Sequence, residues 1–141
     1  MSDKTFVDTN ILIYAHDLDA ESKHARARMV LDELWESRNG ILSTQVLQEF
    51  YVNVTRKISR PLSRRSARGV ALSYAVWCTN ITHAEIAAAF RIEDDYKIGF
   101  WDSLIVATAA SSGATQILSE DLNAGEVIAG VRVVNPFLAA S

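Results

Sequence analysis

Thiols are almost missing from this chain of 141 residues, in which Cys78 stands alone. That excludes an internal disulfide and any zinc site built from several thiolates, and it fits a reducing compartment. Cys78 itself is expected to be a small buried hydrophobe. Proline is scarce, with two in all, and no low-complexity or linker-like tract interrupts the chain. Residues 1–141 are therefore expected to form a single domain, long enough to bury a core without staples. No apolar run reaches the roughly 18 residues of a membrane span, and Asp3 and Lys4 lead directly into the first apolar segment without the pattern of a signal peptide. The expectations are no membrane partner and a cytoplasmic location. Acids are scarce where bases gather: between Glu36 and Glu85 the sole carboxylate is Glu49, whereas Arg38, Arg56, Lys57, Arg60, Arg64, Arg65 and Arg68 all fall there. With a formal net charge of −3, this is an acidic chain with a basic middle.

What is present alternates between short apolar runs and helical periodicity. "TFVD" reads as a strand, and "ILIYAHD" as a helix or strand-to-helix turn with Asn10 as its cap. From Glu21 to Arg38, Ala27, Val30, Leu31 and Leu34 share one face, and Asn39-Gly40 marks the stop. "ILST" is a second strand. Residues 45–58 place Leu47, Phe50, Val54 and Ile58 on one stripe, Pro61 breaks it, and Ser63 caps a helix over 64–77. Thr82 with Glu85 forms a capping box ahead of "IAAAF", and "EDDYKIG" reads as a polar break after it. "FWDSLIVATAASSG" is a helix stopped by Gly113, followed by the strands "TQILS" and "VRVVN". Strands alternating with helices predict an α/β class, a three-layer α/β/α sandwich around a parallel sheet.

The acids carry the chemistry. Singly, Asp8 suits a cap, Asp102 a helix start and Asp121 a turn, and Glu49 suits a solvated pair with Arg56. Their positions along the strands say more. Asp8 ends the first strand, Asp121 follows "QILS", and Asp102 opens the helix feeding that same strand, so all three are expected at the carboxyl edge of the sheet, the usual place of a ligand crevice. Two uncompensated carboxylates about 4 Å apart repel by about 4 kcal/mol at an effective dielectric of 20. A hard divalent cation, Mg²⁺ or Mn²⁺, relieves that cost with oxygen ligands and keeps waters for a substrate.

These residues carry a resemblance. "FVDTNILIYA", "STQVLQEFYVNVTRK", "FWDSLIVATA" and "LSEDLNAG", in this order and over nearly the whole chain, resemble the PIN-domain ribonucleases, most closely the VapC-like toxins of bacterial toxin–antitoxin pairs. The resemblance implies a metal-dependent endoribonuclease that hydrolyses RNA to a 3′ hydroxyl and a 5′ phosphate. It implies that Asp8, Glu49, Asp102 and Asp121 form the acidic, metal-holding pocket, with Thr9 and Asn10 orienting the carboxylates. Asp121 is preferred to Glu120 because it stands third in the family's S/T-x-D pattern. The resemblance further implies a homodimer and inhibition by a cognate antitoxin whose carboxyl-terminal segment crosses the pocket.

Other features are read more plainly. Arg56, Lys57, Arg60, Arg64, Arg65 and Arg68 suit an RNA backbone, a solvated helix surface or an oligomer contact. His16, His24 and His83 lack metal-ligand spacing and are expected at surface or cap positions, Trp35 and Trp77 in core or interface, and Trp101 packed at its helix start. A haloacid-dehalogenase-like reading fails because Asn10 stands where a second Asp is needed. A receiver-domain reading fails because no late Lys follows Lys97. A non-catalytic PIN-like module that binds RNA or protein is the alternative function.

Overall fold

In the computed structural model, which describes residues 3–138, each short apolar run becomes a strand of one sheet. The strands are β1 (Thr5–Val7), β2 (Gly40–Ser43), β3 (Cys78–Thr79), β4 (Gln116–Leu118), β5 (Val127–Ile128) and β6 (Val131–Val134), in the order β3-β2-β1-β4-β6-β5. All neighbours pair in parallel except β5 with β6, a hairpin at one edge. A parallel sheet is covered on both faces, which explains why β1 and β2 are buried at every position with no polar alternation, whereas β6 near the edge alternates, with Arg132 exposed between Val131 and Val133.

The helices are α1 (Thr9–His16), α2 (Ser22–Ser37), α3 (Thr44–Arg56), α4 (Arg64–Ser73), α5 (His83–Tyr96) and α6 (Phe100–Ser111). α1 packs on α2 and α3, and α3 on α4, whereas α5 packs on α6. The two groups form the outer layers of the sandwich. α6 is buried from Ser103 through Ala109, and its small residues let α5 approach closely. After it, Gly113 takes the left-handed conformation, φ +85°, that a side chain would strain.

Several boundaries depart from the sequence reading. α1 is capped by Asp8, whose backbone is extended and whose carboxylate accepts from Thr9 N–H; Asn10 lies inside the first turn. Only Asp8 separates β1 from α1, so it must serve as the cap. α2 ends on Arg38 in the left-handed region, and Gly40 instead opens β2, where an added Cβ would stand 2.7 Å from Trp77. "EDDY" does not break α5, which continues to Tyr96, because its acids lie on the exposed side. The 64–77 helix tightens into a 3₁₀ turn over Tyr74–Trp77. The two-residue strands β3 and β5 were absent from the expectation. Cys78 is half-buried on the edge strand β3, and burial raises its thiol pKa.

Among the aromatics, Trp35, Trp77 and Tyr74 pack on one another. Trp35 is nevertheless 49% exposed. His16 is not a surface or cap residue. Its ring meets Phe50 and Tyr74 edge-on, its Nε2 is 3.1 Å from the Tyr74 hydroxyl, and burial lowers its pKa to about 4. No helix among the described residues is long and apolar enough to cross a membrane.

Candidate active site

β1 lies between β2 and β4, so the chain leaves its carboxyl end toward one side of the sheet and β4 enters from the other. Such a reversal opens a crevice between the two strand ends. Asp8 stands at its lip. Its N–H donates to the Leu118 carbonyl across the crevice, 3.0 Å. One carboxylate oxygen accepts from Thr9 N–H and the other from the Ser119 hydroxyl, both at 2.7 Å. Asp8 is 5% exposed. Burial pushes its pKa up to about 7, the hydrogen bonds from Ser119 and Thr9 oppose the rise, and the charges of Asp121 and Asp102 add to it.

The three residues Asp8, Thr9 and Asn10 organise the rest. Thr9 Oγ1 donates to Glu49 Oε1 at 2.7 Å, and Asn10 Nδ2 donates to Asp121 Oδ2 at 3.0 Å while its Oδ1 accepts from Glu120 N–H at 3.3 Å. One helical turn thus holds an acid of its own and fixes acids on α3 and on the loop after β4. Asp102 comes from the first turn of α6, whose amino end favours negative charge. Burial, then Asp121 and Glu49, raise its pKa, and no hydrogen bond opposes them. The four acids predicted from the sequence therefore lie close enough for their charges to act on one another, and Glu49 and Asp121 line a common groove.

Glu49 does not pair with Arg56. It is half-buried, takes its hydrogen bonds from Thr9 and Gln45, and no Lys or Arg forms an ion pair with any of the four acids among the described residues. Glu120, next to Asp121 in sequence, is treated differently. Lys23 Nζ and the Tyr14 hydroxyl both donate to it at 2.5 Å, and the ammonium also lies over the Tyr14 ring. Partial burial pushes the Glu120 carboxyl up, but the hydrogen bonds from Lys23 and Tyr14 outweigh it and hold the pKa below the ordinary value.

Two residues of the site were not singled out in the sequence. Ser119 is fully buried and, besides donating to Asp8, accepts from the N–H groups of Asp121 and Leu122 at 3.2 and 3.4 Å. Its place two residues before Asp121 was the available signal. Gln45 lies one helical turn before Glu49, and its Nε2 is 3.3 Å from both Glu49 Oε2 and the Trp101 carbonyl, so it ties α3 to the turn that carries Asp102. Its Oε1 is buried with no hydrogen-bond partner among the described residues, a costly state for a polar atom. Trp101 packs edge-on against Phe100 but is 64% exposed, so the helix start covers it less than expected.

The donor set fits a hard divalent cation, since it is all oxygen, anionic and uncompensated by protein cations. Among the described residues no three His, Cys, Asp or Glu side chains are drawn together tightly enough to form a coordination shell as they stand.

A PIN domain family model matches residues 5–128. The chain belongs to the PIN domain family. Among solved structures, a FitAB complex bound to a DNA fragment superposes with a TM-score of 0.75 at 20% identity, covering 97% of this chain and 98% of that one. A toxin–antitoxin complex from Klebsiella pneumoniae gives 0.68 at 20% identity, over 95% of this chain and 98% of that one. VapC20 of Mycobacterium tuberculosis, described as a sarcin–ricin loop cleaving toxin, gives 0.64 at 20% identity, over 84% and 90%. No curated protein matches. The PIN domain of this chain is VapC-like in fold, with the mixed α/β architecture and mostly parallel sheet expected.

Proposed function

We propose that this PIN domain is a divalent-metal-dependent endoribonuclease, the toxin of a toxin–antitoxin pair acting in the cytoplasm. The observation that carries the reading is the set of four carboxylates that approach one another without a protein cation to neutralise them. A structural role would leave such charges paired, as Glu120 is. Asp8, Glu49, Asp102 and Asp121 would hold Mg²⁺ or Mn²⁺, which supplies Lewis acidity to a phosphodiester and acidifies water. Thr9, Asn10 and Ser119 hydrogen-bond Glu49, Asp121 and Asp8, which limits the rearrangement these carboxylates need to close on an ion. Asp8 has its pKa close to neutrality when no cation is present, so a bound cation would release the proton it holds. No protein nucleophile is needed, and the products would be a 3′ hydroxyl and a 5′ phosphate.

The toxin assignment draws on the solved neighbours, which include a toxin–antitoxin complex and an RNA-cleaving toxin. It implies an antitoxin partner and a homodimer. Purified protein should cut a mixed RNA pool only with Mg²⁺ or Mn²⁺, and Asp8→Asn should abolish cutting. Intact RNA with wild-type protein and metal would defeat the reading. One observation favours a second reading, a PIN-like module that binds RNA or protein without cutting: the acids do not form a closed metal shell. Metal titration by calorimetry separates the two, because the nuclease must bind the ion and the module need not.

A further inference from the structure

We infer that the groove between α1 and α3 seats the nucleotide next to the cut linkage, with the Lys57 ammonium on its phosphate and the Gln48 and Asn53 amides along its base edge. This rests on the RNA-cleaving reading above and deepens it. The groove, of about 490 Å³, is lined by Glu49 and Asp121 together with Gln48, Asn53 and Lys57, and has an apolar wall from Ile13 and Val52. Glu49, Asn53 and Lys57 are spaced four apart, so they follow one another along a single ridge of α3 and its cap. That ridge grades from carboxylate through amide to ammonium over roughly 12 Å at 1.5 Å per residue. A polyanion held beside four carboxylates requires an opposite charge within reach, and on this ridge Lys57 is it.

Of the other basic residues in this stretch, Arg60 and Arg68 have partners, and Arg56, Arg64 and Arg65 are exposed outside the groove lining. Arg60 pairs in a fork with Asp19, its Nη2 at 2.8 Å and its Nε at 3.1 Å from the two carboxylate oxygens. Arg68 lies over the Tyr51 ring at 5.9 Å. Lys57 is exposed and has no acid partner among the described residues. Asn53 spends its Nδ2 on the Glu49 carbonyl at 2.8 Å, which leaves Oδ1 as an acceptor, and Gln48 is exposed with both amide atoms available. Amide side chains beside an apolar wall are the means by which an unpaired base is held and read, and a splayed single strand presents such bases.

A simple helix-terminal cation at Lys57 would affect stability and not substrate binding, which sets the test. Cleavage kinetics of the full chain are measured on a labelled, randomised single-stranded RNA oligonucleotide, with binding followed in an Asp8→Asn background. Lys57→Gln is expected to raise KM roughly threefold to tenfold with kcat little changed, and to lower the slope of log affinity against log salt by about 0.7, the share of one phosphate contact on a single strand. Lys57→Arg restores both. Arg91→Gln on α5, a control of equal charge, leaves both alone. Gln48→Ala redistributes the bases flanking the cut sites. The inference is overturned if wild type cuts RNA and Lys57→Gln keeps its KM and salt slope, or if Lys57→Gln instead weakens only capture of a co-expressed antitoxin, which would give the groove to a protein segment. Wild-type protein that neither binds nor cuts RNA removes the nuclease reading and this one with it, a result visible before any variant is made.

Discussion

Glu120 and Asp121 share a peptide bond, yet their surroundings differ. Glu120 is held by the Lys23 ammonium and the Tyr14 hydroxyl, so its charge is already compensated. Asp121 receives only the neutral Asn10 amide and adds its charge to Asp8 and Asp102. The lesson is that an acidic residue is informative for its partners and not for its presence. Protein cations mark acids that serve the fold, and their absence marks acids left available to an ion from solution.

The hardest test of that contrast substitutes its most buried member. Asp8→Asn should lower RNA cleavage by about a thousandfold or more while the protein keeps its circular dichroism spectrum, as read by gel-based kinetics. Next come the adjacent acids. Asp121→Asn should cost on the order of a hundredfold in kcat and Glu120→Gln less than about threefold, and equal losses would erase the distinction between them.

Gln45→Leu probes the bridge between α3 and α6. It removes the orphaned Oε1 but frees Glu49 and the Asp102 turn, so activity should drop about tenfold while thermal stability holds or rises by about 1 kcal/mol. A drop in stability with unchanged activity would show that Gln45 serves packing alone.

A separate effect, on stability and not on rate, is the dependence on pH. The Asp8 carboxyl is raised from 3.8 to about 7 in the folded state, so the folded protein binds more protons than the unfolded one between those values. Its contribution is fully favourable below pH 3.8 and is lost as pH rises through about 7. Metal-free protein should therefore lose up to about 4 kcal/mol from this group across that window. Asp8→Asn should flatten the profile, and Mg²⁺ or Mn²⁺ should restore melting temperature at pH 7.5 by mass action. A rise of stability with pH in the metal-free protein would contradict the burial of an unpaired charge.

Much of this was legible along the chain. Apolar stripes at helical spacing located α2 and α3, caps located α4 and α5, Gly113 marked the end of α6, and α1 was read as a helix or a strand-to-helix turn. The runs around Phe6, Ile41, Ile117 and Val133 located the principal strands. β3 and β5 left no such mark, since two residues are too few to show a period. The end of α5 was misread for a related reason: Asp94 and Asp95 are polar because their side of the helix is wet, and the backbone continues beneath them. Of the site, the acids were visible as types in order, whereas Ser119 and Gln45 were not. A serine and a glutamine have no chemistry of note until a carboxylate stands beside them.

By itself the sequence determined the longer elements, the family resemblance and an all-oxygen donor set with no thiolate to rival it. Local propensity and residue chemistry act over a few positions and need no distant partner. Only the tertiary structure decided that Ser119 would bond Asp8 across 111 positions, that Lys23 would claim Glu120 across 97, and that Arg60 would turn to Asp19 while Lys57 faced the groove. Hydrogen bonds and ion pairs depend on separations of a few ångströms, and those separations exist only once the chain has closed on itself.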